Sequence, residues 1–577
     1  MLVRKSIALA VSFLLLTSPL AYAQEAIQTD GRTQTSISRE GSVTNITTET
    51  ILSQNAFNSF LRFDVESGQT VNLHIPSGVS NLLNLVHEKR TSIDGILNSI
   101  QDGQLGGNVF FLNPYGLVVG SGGSVNVGSL TVLTPTMEFM GSFFDPESST
   151  ISETAVAAVL EGKVPVSESG LITVDGRINA ITDIHLSGHR VENTGTIASG
   201  AVFEGTAPDF SDIVNIAGLD SGSVMSVENG TIVITAQDSI AHSGAVVSMG
   251  GDVTIQAGRK IEVEGGAGAD ERAVIDARGS EEDGNISLSV VSSDSSDGRK
   301  AEAEAGIYIG SAELRGKDIS LTASADAKFE SHLKESSWVL RNVDEQVGYR
   351  LDQDVAAAEA AAGAKVVLKD GSVLDAAGNV SLQAEAKALA KTEMEDKSSG
   401  NELSVSFLYG EIDSDAEVDV QDGAQIKASN LSIKAENQGT LDIKVQSVSL
   451  EGEAVETAIA VTRADVSALA RLAAGAQLSI TDDLSISAVN TNDFSTNAVA
   501  KARKDGLAGI AAVYFTGNTT ASALSDADLT GLKNLIIDAR NNTIRNVTSA
   551  SSVAGGQEMT QKIGQSVAKG AEFVQSR

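Results

Sequence analysis

The chain has 577 residues, 41 Lys and Arg against 75 Asp and Glu, a formal net charge of −34 and no cysteine. An acidic surface of this strength repels phosphate backbones and argues against nucleic acid as a partner, and the lack of thiols excludes disulfides, thiolate metal sites and thiol catalysis. With 41% hydrophobic but only 4% aromatic residues, the chain is apolar enough to fold, around a core of small and branched side chains.

Arg4 and Lys5 open the chain, residues 6–16 form an apolar run, and Ala21-Tyr22-Ala23 is a small-x-small cleavage site. This pattern predicts a secretory signal peptide over residues 1–23, cut between Ala23 and Gln24. The apolar run falls short of the roughly 20 residues of a membrane span. No later segment reaches that length without charges, so the mature chain is expected not to cross a membrane. Loss of Arg4 and Lys5 takes its charge to −36.

From residue 251 a short phrase recurs: a polar turn residue, an apolar residue, Ser or Thr, an apolar residue, any residue, and usually Ala. It stands as Asp252-Val253-Thr254-Ile255-Gln256-Ala257 and Asn285-Ile286-Ser287-Leu288-Ser289-Val290, and returns at 318–323, 379–384, 430–435, 483–488 and 534–539. The first apolar residues fall at 253, 286, 319, 380, 431, 484 and 535, at spacings of 33, 33, 61, 51, 53 and 51. Alternation within each phrase places Val253, Ile255 and Ala257 on one face of a strand. The preceding Asn, Asp or Gly supplies a turn.

Repeats that cannot bury a face alone must stack. The fold expected is therefore all-β: a right-handed parallel β-helix with an N-terminal cap, a β-sandwich array being the competitor. At roughly 20 residues per coil, a spacing of 51 would hold two or three coils plus a loop. Coils about 4.8 Å apart would then make a rod on the order of 120 Å. Residues 329–363, with the single tryptophan Trp338 and an Ala-rich run, interrupt the pattern as a short helical insertion or a long loop. Residues 555–577 read as an amphipathic C-terminal helix or cap. The expected domains are a signal peptide (1–23), an N-terminal domain (24–250), the repetitive rod (251–554) and the tail (555–577).

The N-terminal domain carries a series of ordered blocks. Ala56-Phe57-Asn58-Ser59-Phe60 is followed by Phe63-Asp64-Val65 and Val71-Asn72-Leu73. Ile93-Asp94-Gly95-Ile96-Leu97 leads through residues 106–112 to Asn113-Pro114-Tyr115-Gly116-Leu117-Val118-Val119-Gly120. Val125-Asn126-Val127-Gly128-Ser129-Leu130 comes next, then Gly170-Leu171-Ile172 and residues 191–197. In this order the blocks resemble the export domain of two-partner-secretion exoproteins of the filamentous-haemagglutinin type, also called the haemagglutination-activity domain. That family usually shows Asn-Pro-Asn-Gly where this chain has Tyr115, although the turn chemistry of Asn113, Pro114 and Gly116 survives.

The resemblance implies export through the periplasm and recognition by an outer-membrane two-partner-secretion transporter. It also implies a secreted or cell-surface location on a Gram-negative bacterium. Carried over for export recognition or export-domain folding are Asn58, Phe60, Asn113, Pro114, Gly116 and Asn126. The leading expectation is an adhesin-like surface rod binding a receptor on a host or neighbouring cell. A pore-forming cytolysin of the same secretion family and a β-helix polysaccharide-active enzyme are the alternatives. At this length the chain is short for such an exoprotein, which suggests a truncated relative.

No catalytic set, cofactor or metal site is expected. His185 and His189 share a face but lack a His-Glu-x-x-His context, and neither a Gly-x-Ser-x-Gly elbow nor a phosphate loop is present. The phrase at 265–272 begins like a calcium-binding nonapeptide, but Arg272 takes the place of its apolar residue and it occurs once.

Overall fold

The computed structural model describes residues 25–145, 150–200, 230–266, 271–296, 300–334, 350–399, 402–451, 455–502, 507–524 and 532–553. The expected cleavage site at Ala23 and Gln24, Trp338 and the expected tail helix lie outside these residues.

Alternation in sequence becomes alternation in burial. In Val253–Ala257 the residues Val253, Ile255 and Ala257 are buried, while Thr254 and Gln256 face outward. Val253–Ala257 is the first side of a coil, Lys260–Val263 the second and Ala273–Asp276 the third. Each side pairs in parallel with the same side of the coils before and after. Val253 lies between Ile232 and Ile286, Ile261 between Ile240 and Ile307, and Ile275 between Val246 and Leu314. The result is a parallel β-helix whose lining is one continuous column of Ile, Val, Leu and Ala. Each buried Ile, Leu or Val contributes about 1.5–3 kcal/mol over its exposed state.

The long spacings have a different cause from the one expected. Val253, Ile286, Ile319, Val380, Leu431, Leu484 and Leu535 stand in one register column. A spacing of 51 is therefore a single coil. The first side grows from 5 residues in Val253–Ala257 to 11 in Ile286–Ser296, 16 in Ile319–Lys334 and 21 in Asn379–Ser399. The second grows from 4 in Lys260–Val263 to 19 in Arg350–Leu368, while the third keeps 4 in Val373–Ala376 and Gln425–Ala428. The two lengthened sides run outward and back as a pair of arms, with every second residue buried between them, as in Asp483–Lys501. Residues spent sideways do not lengthen the rod. The third side stacks twelve parallel strands from Val43–Thr48 to Gln477–Ile480, roughly 55 Å at the usual strand spacing.

The expected helix or loop over 329–363 is corrected in the same way. The strand Ile319–Lys334 runs through its beginning and Arg350–Leu368 through its end. Ala358, Ala360 and Ala362 point between the arms and are buried, and Ala360 is paired on both flanks, with Ala301 and Ile412. Alanine's helix preference, below about 1 kcal/mol per residue over most others, yields to two ladders of backbone hydrogen bonds.

The N-terminal end is closed by antiparallel strands. Thr35–Glu40 pairs with Val43–Thr48, and both Ile27–Thr29 and Ile51–Leu52 pair with Asn55–Val65. Between the first-side strand Ser129–Leu133 and the second-side strand Leu171–Val174 the chain leaves the coil for two helices, α1 (Met137–Gly141) and α2 (Glu153–Leu160). Thr136 caps α1 by accepting from the Phe139 N–H, and Ser152 caps α2 by accepting from the Ala155 N–H.

Candidate functional site

The N-terminal domain is built around stacked asparagines. Asn72 Nδ2 donates to Asn45 Oδ1 at 3.1 Å, Asn98 to Asn72 at 3.1 Å, Asn126 to Asn98 at 2.9 Å and Asn179 to Asn126 at 2.9 Å. An amide carries both a donor and an acceptor, so identical side chains at one register position can bond down the stack, leaving the Oδ1 of the terminal Asn179 without a partner. A second column runs Asn55, Asn81 and Asn108, ending on the Ser129 hydroxyl. Asn58 starts a third: it donates to Asn84 at 3.0 Å and accepts from Thr35 on the cap at 2.9 Å.

Of the residues expected to serve recognition or folding, Asn58, Phe60, Asn113, Pro114, Gly116 and Asn126 are all interior. Phe60 lies edge-on to Phe63 at 5.1 Å, and Phe63 to Phe111 at 5.3 Å. Asn113 organises the turn that follows it. Its Nδ2 donates to the Lys89 carbonyl and the Thr91 hydroxyl, and its Oδ1 accepts from the Tyr115 N–H. Gly116 has φ +94°, and a Cβ there would lie 1.8 Å from the Leu171 carbonyl oxygen. Tyr115 enters the turn through its backbone alone, its carbonyl accepting from Arg90. An asparagine and a tyrosine are therefore interchangeable at this position as far as the turn is concerned.

Sequence reasoning missed the outer layer of this domain. Helices α1 and α2 cover a second apolar cluster of Phe57, Leu83, Leu85, Leu112, Leu133, Met140, Phe143 and Val159. Phe143 lies 6.5 Å from Phe57, and the Arg32 guanidinium sits 5.4 Å over the Phe144 ring. The signal was present in Asn81–Val86, where Leu82 and Leu83 are consecutive: both faces of that strand are buried, one by the coil and one by the helices. At the edge of this layer Ile51, Met137 and Leu160 remain 48%, 50% and 43% exposed.

Asp30, Ser59 and His87 bring together the residue types of a hydrolytic triad. Their arrangement does different work. The Ser59 hydroxyl donates to Asp30 Oδ2 at 2.5 Å and lies 3.1 Å from His87 Nε2, while Asp30 Oδ2 is 3.5 Å from that same nitrogen. The carboxylate thus competes with the imidazole for the serine proton instead of orienting the ring from its far side. Ser59 is also fully buried. The cluster clamps the cap strand Ile27–Thr29 to the first coils.

Four histidines of the domain share one tendency. Burial holds His74, His185 and His87 below the ordinary imidazole range, Asp30 raising His87 and Arg32 lowering it. His242 is pushed down to about 4 by burial, despite its bonds to Val274 and Asn193. His189 Nδ1 lies 3.3 Å from the Gln237 side-chain oxygen.

Residues 22–249 match the family model of the TPS secretion domain. Among solved structures the chain is similar to the HMW1 secretion domain from Haemophilus influenzae, at 14% identity and a TM-score of 0.31, over 70% of this chain and 99% of that one. Comparison with the curated proteins gives no match.

Proposed function

We propose, from the match of residues 22–249 to the TPS secretion domain, that the chain is an exoprotein handed through the periplasm to an outer-membrane two-partner-secretion transporter, which releases it as a β-helical surface adhesin. The domain match carries the export step. The closed cap and the Asn113 turn support it, since they give a chain that emerges N-terminus first a finished end on which later coils can stack. In this reading Asn58, Phe60, Asn113, Pro114, Gly116 and Asn126 act by making the domain foldable, and the contact with the transporter falls to exposed residues such as Met137 and Leu160.

The adhesive role belongs to the coils beyond residue 250. Their arms offer broad polar faces about twenty residues long, suited to a large, flat partner on another cell. Export is tested by expressing wild type and Asn113→Ala with and without the transporter. Wild-type protein outside the cell only when the transporter is present, with the variant retained in the periplasm, is the expected result. Equal release without any transporter would sink the export reading. Binding of the purified protein to intact cells, without lysis of red cells, separates an adhesin from a cytolysin.

A further inference from the structure

The two ends of the β-helix differ. The N-terminal end is closed by antiparallel strands, whereas the described C-terminal end finishes on Asn534–Val553, which pairs with Asp483–Lys501 on one flank. Among the described residues eleven large hydrophobic side chains are exposed, and five of them, Leu535, Ile536, Ile537, Ile544 and Val547, lie on this one strand. Leu535 and Ile537 stack on Leu484 and Ile486, both buried lining residues. Among the described residues no coil lies above these lining positions. An open strand edge this long and this apolar is one that proteins ordinarily protect.

We propose that this edge is a homotypic docking surface, on which two copies of the chain join tail to tail through antiparallel pairing of Asn534–Val553. The sequence of the strand is self-complementary. When Asp538 faces Arg545 of a second copy in an antiparallel ladder, Ile536 falls opposite Val547 on the same outward face, and the two-fold axis repeats both pairs. In the same register Leu535 faces Thr548 and Ile537 faces Asn546 on the inner side, so the apolar pairing of the junction lies on its outward face. Opposite charges and branched side chains directly across antiparallel strands each stabilise the pair. A two-fold arrangement is favoured over head-to-tail growth, because among the described residues the capped N-terminal end offers no strand edge of matching length.

Sedimentation of the full mature chain tests this surface. Wild type is expected to dimerise with a Kd in the micromolar range. Asp538→Arg places like charges opposite each other twice per dimer, as does Arg545→Asp, so each alone weakens association by about tenfold or more. An equimolar mixture of the two variants restores both pairs in a heterodimer and with them the wild-type affinity. Ile536→Lys removes the aliphatic pair and leaves Arg545 with its partners Asp493 and Asp442, so it tests the surface independently of any folding defect in Arg545→Asp. A chain monomeric up to about 100 µM overturns the proposal and assigns cover of the edge to residues 554–577 or another partner. Dimers that persist in both Asp538→Arg and Ile536→Lys overturn it as well, by placing the contact elsewhere.

Discussion

At the residue scale, the asparagine column shows why interior polar groups can stabilise a solenoid. Asn126 is wholly buried, its Nδ2 given to Asn98 and its Oδ1 accepting from Asn179 and from Ser124 at 3.3 Å. Asn126→Ala orphans groups on two neighbouring coils and is expected to cost about 2–4 kcal/mol in urea unfolding of the chain. Asn179→Ala stands at the end of the column, and Ser124 still serves the Asn126 oxygen, so its loss should be roughly half as large. Equal losses would mean that the column does not act as a chain. His242 sets a second residue-level property. Its Nε2 lies 3.1 Å from the Val274 carbonyl and its Nδ1 3.1 Å from Asn193, and complete burial holds it neutral against the opposing effect of these bonds. With a folded pKa of about 4 against 6.5 unfolded, the unfolded chain binds the extra proton between these values. Stability is therefore complete above about pH 6.5 and falls as the pH drops towards 4, by a total on the order of 3 kcal/mol. His242→Gln should make the dependence of the thermal midpoint on pH shallower across that window. An unchanged slope would show that the other buried histidines set it.

At the scale of elements, α1 and α2 act as a lid on an otherwise exposed strand face. Phe143 is fully buried against Phe57 and Phe139, and Phe143→Ala is expected to destabilise the N-terminal domain by about 3–5 kcal/mol. Dye binding to exposed apolar surface should rise while the strand signal in circular dichroism is kept, because Leu83, Leu85 and Leu112 lose cover without losing their ladders. Loss of strand signal would show instead that the helices hold the coils together. This layer also marks where the sequence was readable and where it was not. Period-two alternation and the column of recurring phrases made the strands and the stacking legible, since both are set by local backbone geometry. The arms were not, because a coil that widens and a run of several narrow coils have the same composition and the same periodicity. Only the register, with Ile319 beside Val380 and Val380 beside Leu431, separates them. The Ala-rich run at 356–362 misled for a related reason: its local preference is helical, and what overrules it comes from strands some fifty residues away in sequence. The turn at Asn113 and Gly116 was legible because the residue types dictate it, whereas burial of the whole motif set follows from the expected cap together with a helical lid that no motif announced.

At the scale of the whole molecule, each coil touches chiefly the coil before and the coil after, so stability accumulates rung by rung from a closed end to an open one. The same order would suit the proposed export if the chain emerges N-terminus first, because every new coil then finds a finished template behind it. It also makes a prediction that separates this architecture from a single cooperative globule. A chain ending at residue 482, between the third side Gln477–Ile480 and the arm strand Asp483–Lys501, loses the arm strands Asp483–Lys501, Leu507–Leu524 and Asn534–Val553 yet leaves every contact among the earlier coils in place. It should remain folded, with strand content per residue unchanged and a thermal midpoint lowered by only a few degrees, about what a loss of 1 kcal/mol produces in a domain of ordinary size. Removing residues 25–52 deletes far fewer residues but takes away the antiparallel strands that cover Asn55–Val65, along with Asp30 and its clamp on Ser59 and His87. That shorter deletion should lower the midpoint more than the longer one at the other end. The reverse ranking would mean that the arms, not the capped end, nucleate and hold the fold, and that coils do not add in chain order from that end.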